Sequence, residues 1–179
     1  MPVNRRQFVA AGAVLGAVPL LGCGPALRDV RITNLGAALQ EMQRLGQAPA
    51  LLSATSWGGS KTLVHLAQSI EYAMTGYPTQ NSALFQQVVG KNALHFFGWR
   101  GQMRHDLTEP IPGSPAIAAD VPLEQAALRL LTACQQFTQW RGPLQPHFAY
   151  GALTHAEYEQ AHAMHLANHF AAFRPQTLA

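Results

Sequence analysis

Thr154-His155-Ala156-Glu157-Tyr158-Glu159-Gln160-Ala161-His162-Ala163-Met164-His165-Leu166-Ala167-Asn168-His169-Phe170 reads as one helix that opens on its own start signal. Thr154 and Glu157 stand at capping-box spacing, where each side chain can satisfy the other residue's free backbone N–H. Ala161, Ala163 and Ala167 favour the helix intrinsically, and Pro175 stops it soon after about Phe173. Tyr158, His162, His165 and His169 fall on a single stripe, the face a bundle helix turns inward. An even spread of the eight histidines over 179 residues would put fewer than one in a 15-residue window, yet residues 155–169 hold four.

Upstream of this element the chain keeps helical periodicity. Apolar residues at 32, 35, 38, 39, 42 and 45 predict a first helix from Ile32 to Leu45, stopped by Gly46 and Pro49. Leu63, Leu66, Ala67, Ile70 and Met74 form the stripe of a second helix, starting between Ser56 and Ser60 and ending at Thr75 before Gly76 and Pro78. A shorter amphipathic piece spans Ser82 to Val89 and is expected to end at Gly90. Pro110, Pro112, Pro115 and Pro122 exclude a helix over 106–122 and mark a long crossover. Beyond it, Leu123, Ala127, Leu130, Cys134 and Phe137 line one face of a further long helix, with Asp120 as its expected cap and Pro122 in its first turn. No alternating β-branched run suggests a sheet and no internal repeat is present. Four main helices joined by one long crossover predict an all-α helical bundle.

The beginning of the chain reads as an address. Arg5-Arg6-Gln7-Phe8 precedes an uncharged apolar stretch from Phe8 to Leu21, shorter than the ~17–25 residues a membrane span needs. The pair of arginines resembles a twin-arginine export signal, and Leu20-Leu21-Gly22-Cys23 resembles a bacterial lipobox whose cleavage leaves Cys23 acylated. The expected organisation is therefore a signal peptide over 1–22 and one helical domain over 23–179, exported to the periplasm or cell envelope and held at the membrane through a lipid on Cys23. An exported protein cut elsewhere is the rival reading. After acylation only Cys134 remains, which excludes an intramolecular disulfide; its place in an apolar helical pattern makes it a core residue.

Composition narrows the partners. Apolar residues make up 48% and charged residues only 12%, so the chain can build a core and lacks the basic face of a nucleic-acid binder. Without Arg5 and Arg6, ten basic residues face nine acidic ones, and net charge names no partner. So low a charge predicts exposed apolar patches.

The chemistry lies in the histidines. His165 and His169, at i and i+4, place two imidazoles one turn apart where they can share a metal ion. Two ligands are an incomplete site; His65, mid-helix between Leu63 and Leu66, is the best third candidate. His162 shares the stripe. The same spacing also suits imidazoles on a solvated face, so spacing alone leaves metal binding open. Glu71, six residues from His65, points away from it; His105-Asp106 reads as a loop pair exposed to water; Trp57, Trp99 and Trp140 read as packing. No phosphate-cradling glycine loop, Cys-x-x-Cys or nucleophile elbow occurs.

Leu63-Val64-His65-Leu66-Ala67-Gln68-Ser69-Ile70-Glu71, Pro146-His147-Phe148-Ala149-Tyr150-Gly151 and His162-x-x-His165-x-x-x-His169-Phe170, in that order, resemble the DinB-like superfamily of metal-dependent helical-bundle proteins, in an exported branch, over about residues 30–173. The resemblance implies an up-down-down-up four-helix bundle and His65, His165 and His169 as ligands of a divalent metal. His162 would be an accessory imidazole, and His147 belongs to the pattern without an assigned role. Zinc is the default ion, with nickel, iron or copper equally suited to imidazole. The functions that follow are a metal-dependent transferase or hydrolase acting on a small molecule at the envelope, a metal-binding protein without turnover, or a structural helical lipoprotein.

Overall fold

A computed structural model describes residues 26–176. The export signal, the lipobox and Cys23 lie outside the described residues.

Helix α1 (Leu35–Gly46) begins three residues later than its apolar spacing suggests, because the Asn34 side chain accepts the Ala37 N–H at 2.9 Å and caps it there. Helix α2 (Gly59–Thr75) ends where Gly76 takes φ +104°, a conformation that strains any residue with a side chain. Helix α5 (Leu123–Gln139) is capped by Pro122 and not by the Asp120 side chain. Helix α6 (His155–Phe170) carries the expected capping box: Thr154 Oγ1 accepts the Glu157 N–H at 3.2 Å, and Glu157 Oε2 accepts the Thr154 N–H at 2.7 Å.

The expected all-α, up-down-down-up four-helix bundle is not what the chain builds. Two features overturn it. Ala50–Ser53 (β1) and Phe173–Gln176 (β2) pair as a small antiparallel sheet, Ala50 opposite Gln176 and Ser53 opposite Phe173. Neither strand has a β-forming sequence, and one contains Pro175, so the pairing comes from where α1 and α6 bring their flanking segments and not from local propensity. The second feature is a fifth helical rod. α3 (Ala83–Phe85) passes through a single π-helical turn, Gln86–Gly90, straight into α4 (Lys91–Arg100).

Gly90 does not stop that rod because it keeps helical angles, φ −62° and ψ −53°. It is glycine for want of space: a Cβ there would lie 1.9 Å from the Ala149 carbonyl oxygen. Gly90→Ala is therefore expected to destabilise the fold by about 1–3 kcal/mol, the usual range for forcing an extra carbon into a packed contact. Urea denaturation checks it; a loss under about 0.5 kcal/mol would show the 149–150 backbone to be free to retreat.

The core is continuous across α1, α2, α5 and α6. Leu66, Ile70, Leu130, Phe137, Tyr158 and Leu166 are all fully buried, and Cys134 is buried among them as a free thiol, its pKa pushed up to about 12 by burial. α2 packs most extensively on α5, while α6 lies against α1 and α2 and touches α4. The rod over 83–100 is much less covered: Leu84, Val88, Val89, Phe96 and Trp99 stand exposed along it, which is where the expected apolar patch falls. No described helix is long and apolar enough to cross a membrane. Between Gly101 and Pro122 the chain is irregular, as its prolines require, and this crossover runs past the C-terminal half of α6.

Candidate metal centre

Four imidazoles meet where α2, α6 and the crossover come together. His65 comes from α2, His165 and His169 from α6, and His105 from the crossover; one ring nitrogen from each lies within 4.8 Å of the other three. The Nε2 atoms of His65 and His165 are 3.3 Å apart, and those of His105 and His169 are 3.2 Å apart. A tetrahedral ion with metal–nitrogen bonds of about 2.0–2.1 Å holds its donors roughly 3.3–3.4 Å from one another. The two measured separations are therefore edges of the right length, and the donor set contains no carboxylate or ammonium to compete.

Packing holds these rings in place. His65 is buried, in a T-shaped pair with the Trp57 ring at 5.2 Å, and Lys61 Nζ lies over the Trp57 ring at 4.6 Å. His169 is the deepest of the four, 1% exposed; His105 is the exposed one. Burial, reinforced by neighbouring imidazoles, keeps the rings neutral: the pKa of His65 falls to about 4 and that of His169 to about 2, and His165 is lowered well below its ordinary value. His105 is lowered by burial of its ring nitrogens, partly offset by Asp106. A neutral imidazole is the protonation state a metal requires. The four histidines can therefore hold a metal ion.

His65, His165 and His169, named from sequence, are brought together. His105 joins them although it read as half of an exposed loop pair. The pair divides: Asp106 turns to its own loop, accepting from Thr108 N and Oγ1 at 2.8 Å each, while His105 turns inward and its Nδ1 meets the Asn168 amide at 2.9 Å. His162 and His147 stand outside the group of four. His162 is buried between Tyr158, stacked at 5.3 Å, and Phe137, edge-on at 5.1 Å. His147 sits in the loop before α6, stacked on Tyr150 at 4.3 Å. Glu71 is bound to Arg129 at 2.7 and 2.9 Å. Trp99 is exposed, and Trp140 donates Nε1–H to the Pro143 carbonyl.

A cavity of about 210 Å³ opens against the cluster, lined by His65, His105 and His165 on one side and by Phe97, Ile111 and Phe148 among its apolar walls. His147 and His162 also line it.

A helical scaffold that focuses four neutral imidazoles beside an apolar cavity defines the chain as a candidate metal-site protein. Residues 25–176 match the family described as protein of unknown function (DUF1569), and the chain belongs to that family. No curated protein matches the chain, and no solved structure does either.

Proposed function

We propose that this chain is a divalent-metal protein of the DinB-like kind, tethered at the cell envelope through Cys23, and that it acts as a metal-dependent transferase or hydrolase on small molecules. The observation that carries this reading is the cavity opening onto three of four converging neutral imidazoles. Imidazoles that only braced the fold would need no such access. His65, His165 and His169 would hold the ion, zinc by default because tetrahedral nitrogen sites suit it. When bound, the ion would supply Lewis-acid chemistry, polarising the oxygen of a substrate or of a water molecule.

The remaining roles belong to the chain's own residues. His105, loop-borne and exposed, is the donor most easily exchanged for substrate. For its Nε2 to be the donor, Nδ1 must carry the proton; the Asn168 amide, whose nitrogen lies 2.9 Å from Nδ1, would orient the ring by accepting that N–H through its oxygen once the amide is turned over. Phe97, Ile111 and Phe148 keep water from the walls. Glu109 is the one carboxylate among the described residues lining the cavity, and so the group available to take a proton in a hydrolytic reaction.

Metal analysis of the purified protein tests the proposal. About one zinc or other first-row divalent ion per chain is expected, removed by a chelator and restored on addition. Less than about one-tenth of an equivalent after incubation with zinc, nickel, iron and copper in turn would overturn it in favour of a structural lipoprotein.

A further inference from the structure

His147 lines the cavity with one of its two ring nitrogens tied to its own loop. Its Nδ1 accepts the backbone N–H groups of Ala149 at 3.1 Å and Tyr150 at 3.3 Å, so Nδ1 cannot carry a proton. Both hydrogen bonds from described residues to this ring end on Nδ1. The ring is neutral, burial having brought its pKa down to about 3 with a further push from His162, so its single proton resides on Nε2. Stacking and backbone pairing hold the side chain. It stacks on Phe148 at 4.6 Å and Tyr150 at 4.3 Å, and its backbone pairs with Gly151 through two hydrogen bonds of 2.8 and 2.9 Å. Gly151 completes that bridge at φ +74°.

A buried imidazole held in one tautomer, its N–H without an acceptor among the described residues, on the lining of a cavity is an arrangement for receiving an acceptor from a ligand. A second observation points the same way: Nε2 of His162, on the wall of the same cavity, is buried without a partner. The rest of the wall includes Phe97, Met103, Ile111 and Phe148.

We infer that the cavity binds a small, largely apolar organic molecule bearing a carbonyl or similar acceptor oxygen, which His147 receives through Nε2–H while another group of the same molecule meets the histidine cluster. The inference rests on the metal reading for that second anchor. It makes His147 a binding residue for the ligand's remote oxygen, in addition to any part it has in shaping its loop.

The two parts separate cleanly by substitution. In His147→Asn, Oδ1 occupies the place of Nδ1 and can still accept the Ala149 and Tyr150 N–H groups, but the Nε2–H donor is gone. The probes are 4-oxopentanoate and 5-oxohexanoate, each with a carboxylate for the metal and a keto oxygen for His147, with pentanoate and hexanoate as partners lacking the keto group. Calorimetric titration of the zinc-loaded protein is expected to show one or other keto acid binding tighter than its plain partner. In His147→Asn that preference should fall about three- to tenfold, the worth of one hydrogen bond, while the plain acids bind as before. A purely structural His147 would leave the preference unchanged, and that result overturns the inference. Failure to take up zinc, seen before any probe is added, overturns the metal reading and this one with it. Should the variant not fold, ¹⁵N NMR of ring-labelled histidine in the unaltered zinc-loaded protein decides. The Nε2–H tautomer, with a resonance that moves for a keto acid and not for its partner, supports the inference. An Nδ1–H tautomer, or no keto-specific shift, overturns it.

Discussion

His65→Ala is expected to reduce bound metal to background and to leave the protein folded but less stable. His65 is the only imidazole of the four supplied by α2, so its removal breaks the link between that helix and the pair on α6. Changing a partner that merely orients a ligand typically weakens metal binding ~10–100-fold; losing a buried donor should cost at least as much as the upper end of that range. The ring also fills space between Trp57 and His169, whose centroids lie 5.2 and 4.9 Å from it. Its loss should therefore destabilise the metal-free protein by about 2–4 kcal/mol, the range for truncating a large buried side chain. His105→Ala is the contrast. It removes the exposed member, borne on an irregular segment, and should keep about one metal per chain with faster exchange, because His65, His165 and His169, all held on helices, remain, whereas His65→Ala leaves only the α6 pair on a helix. Equal loss of metal in both variants would show a closed four-ligand site and favour metal holding over turnover. Retention in His65→Ala would sink the proposed centre.

The parts of the structure that were legible in the sequence are those where local chemistry and tertiary packing agree. The Thr154–Glu157 capping box and the histidine stripe of α6 needed only helical spacing, and so did the burial of Leu66 and Ile70 beside His65 on α2. What was hidden depended on distant contacts. Gly90 reads as a stop, and only the Ala149 carbonyl pressed against it explains why the residue is glycine while the helix continues. β1 and β2 have no strand signature because four residue pairs, held by the ends of α1 and α6, supply the register instead of side-chain preference. His105 carries no periodicity, lying in an irregular crossover; a lone histidine there is indistinguishable from a solvated one until the crossover is laid against α6. The neighbouring Asp106, which made the pair look like a surface turn, does form that turn, with Thr108.

Acid should unfold the metal-free protein about one to three pH units below the value at which free histidine titrates, and added zinc should protect it. His65, His147, His162 and His169 are each less than one-tenth exposed and have pKa values lowered to about 4, 3, 3 and 2, chiefly by burial. In the unfolded chain the same groups titrate near 6.5. Below that pH the unfolded state binds more protons than the native state, so stability is complete above about pH 6.5 and is lost as the pH falls toward the native values. Each histidine contributes up to about 1.4 kcal/mol per pH unit in this window. Four together, at up to about 5–6 kcal/mol per unit, would exhaust an ordinary stability of ~5–15 kcal/mol within about one to three units. A steep transition near pH 5 is therefore expected by circular dichroism in the presence of a chelator. Because the native site stays unprotonated down to about pH 4 at His65, protons compete poorly for its ligand nitrogens there. Zinc at about a hundred times its dissociation constant then adds about 2.7 kcal/mol and should move the midpoint down by about half a pH unit. A native signal that persists unchanged to about pH 3 without metal would mean that the imidazoles reach water more easily than their packing indicates. A midpoint indifferent to zinc would mean that the four rings converge without binding it.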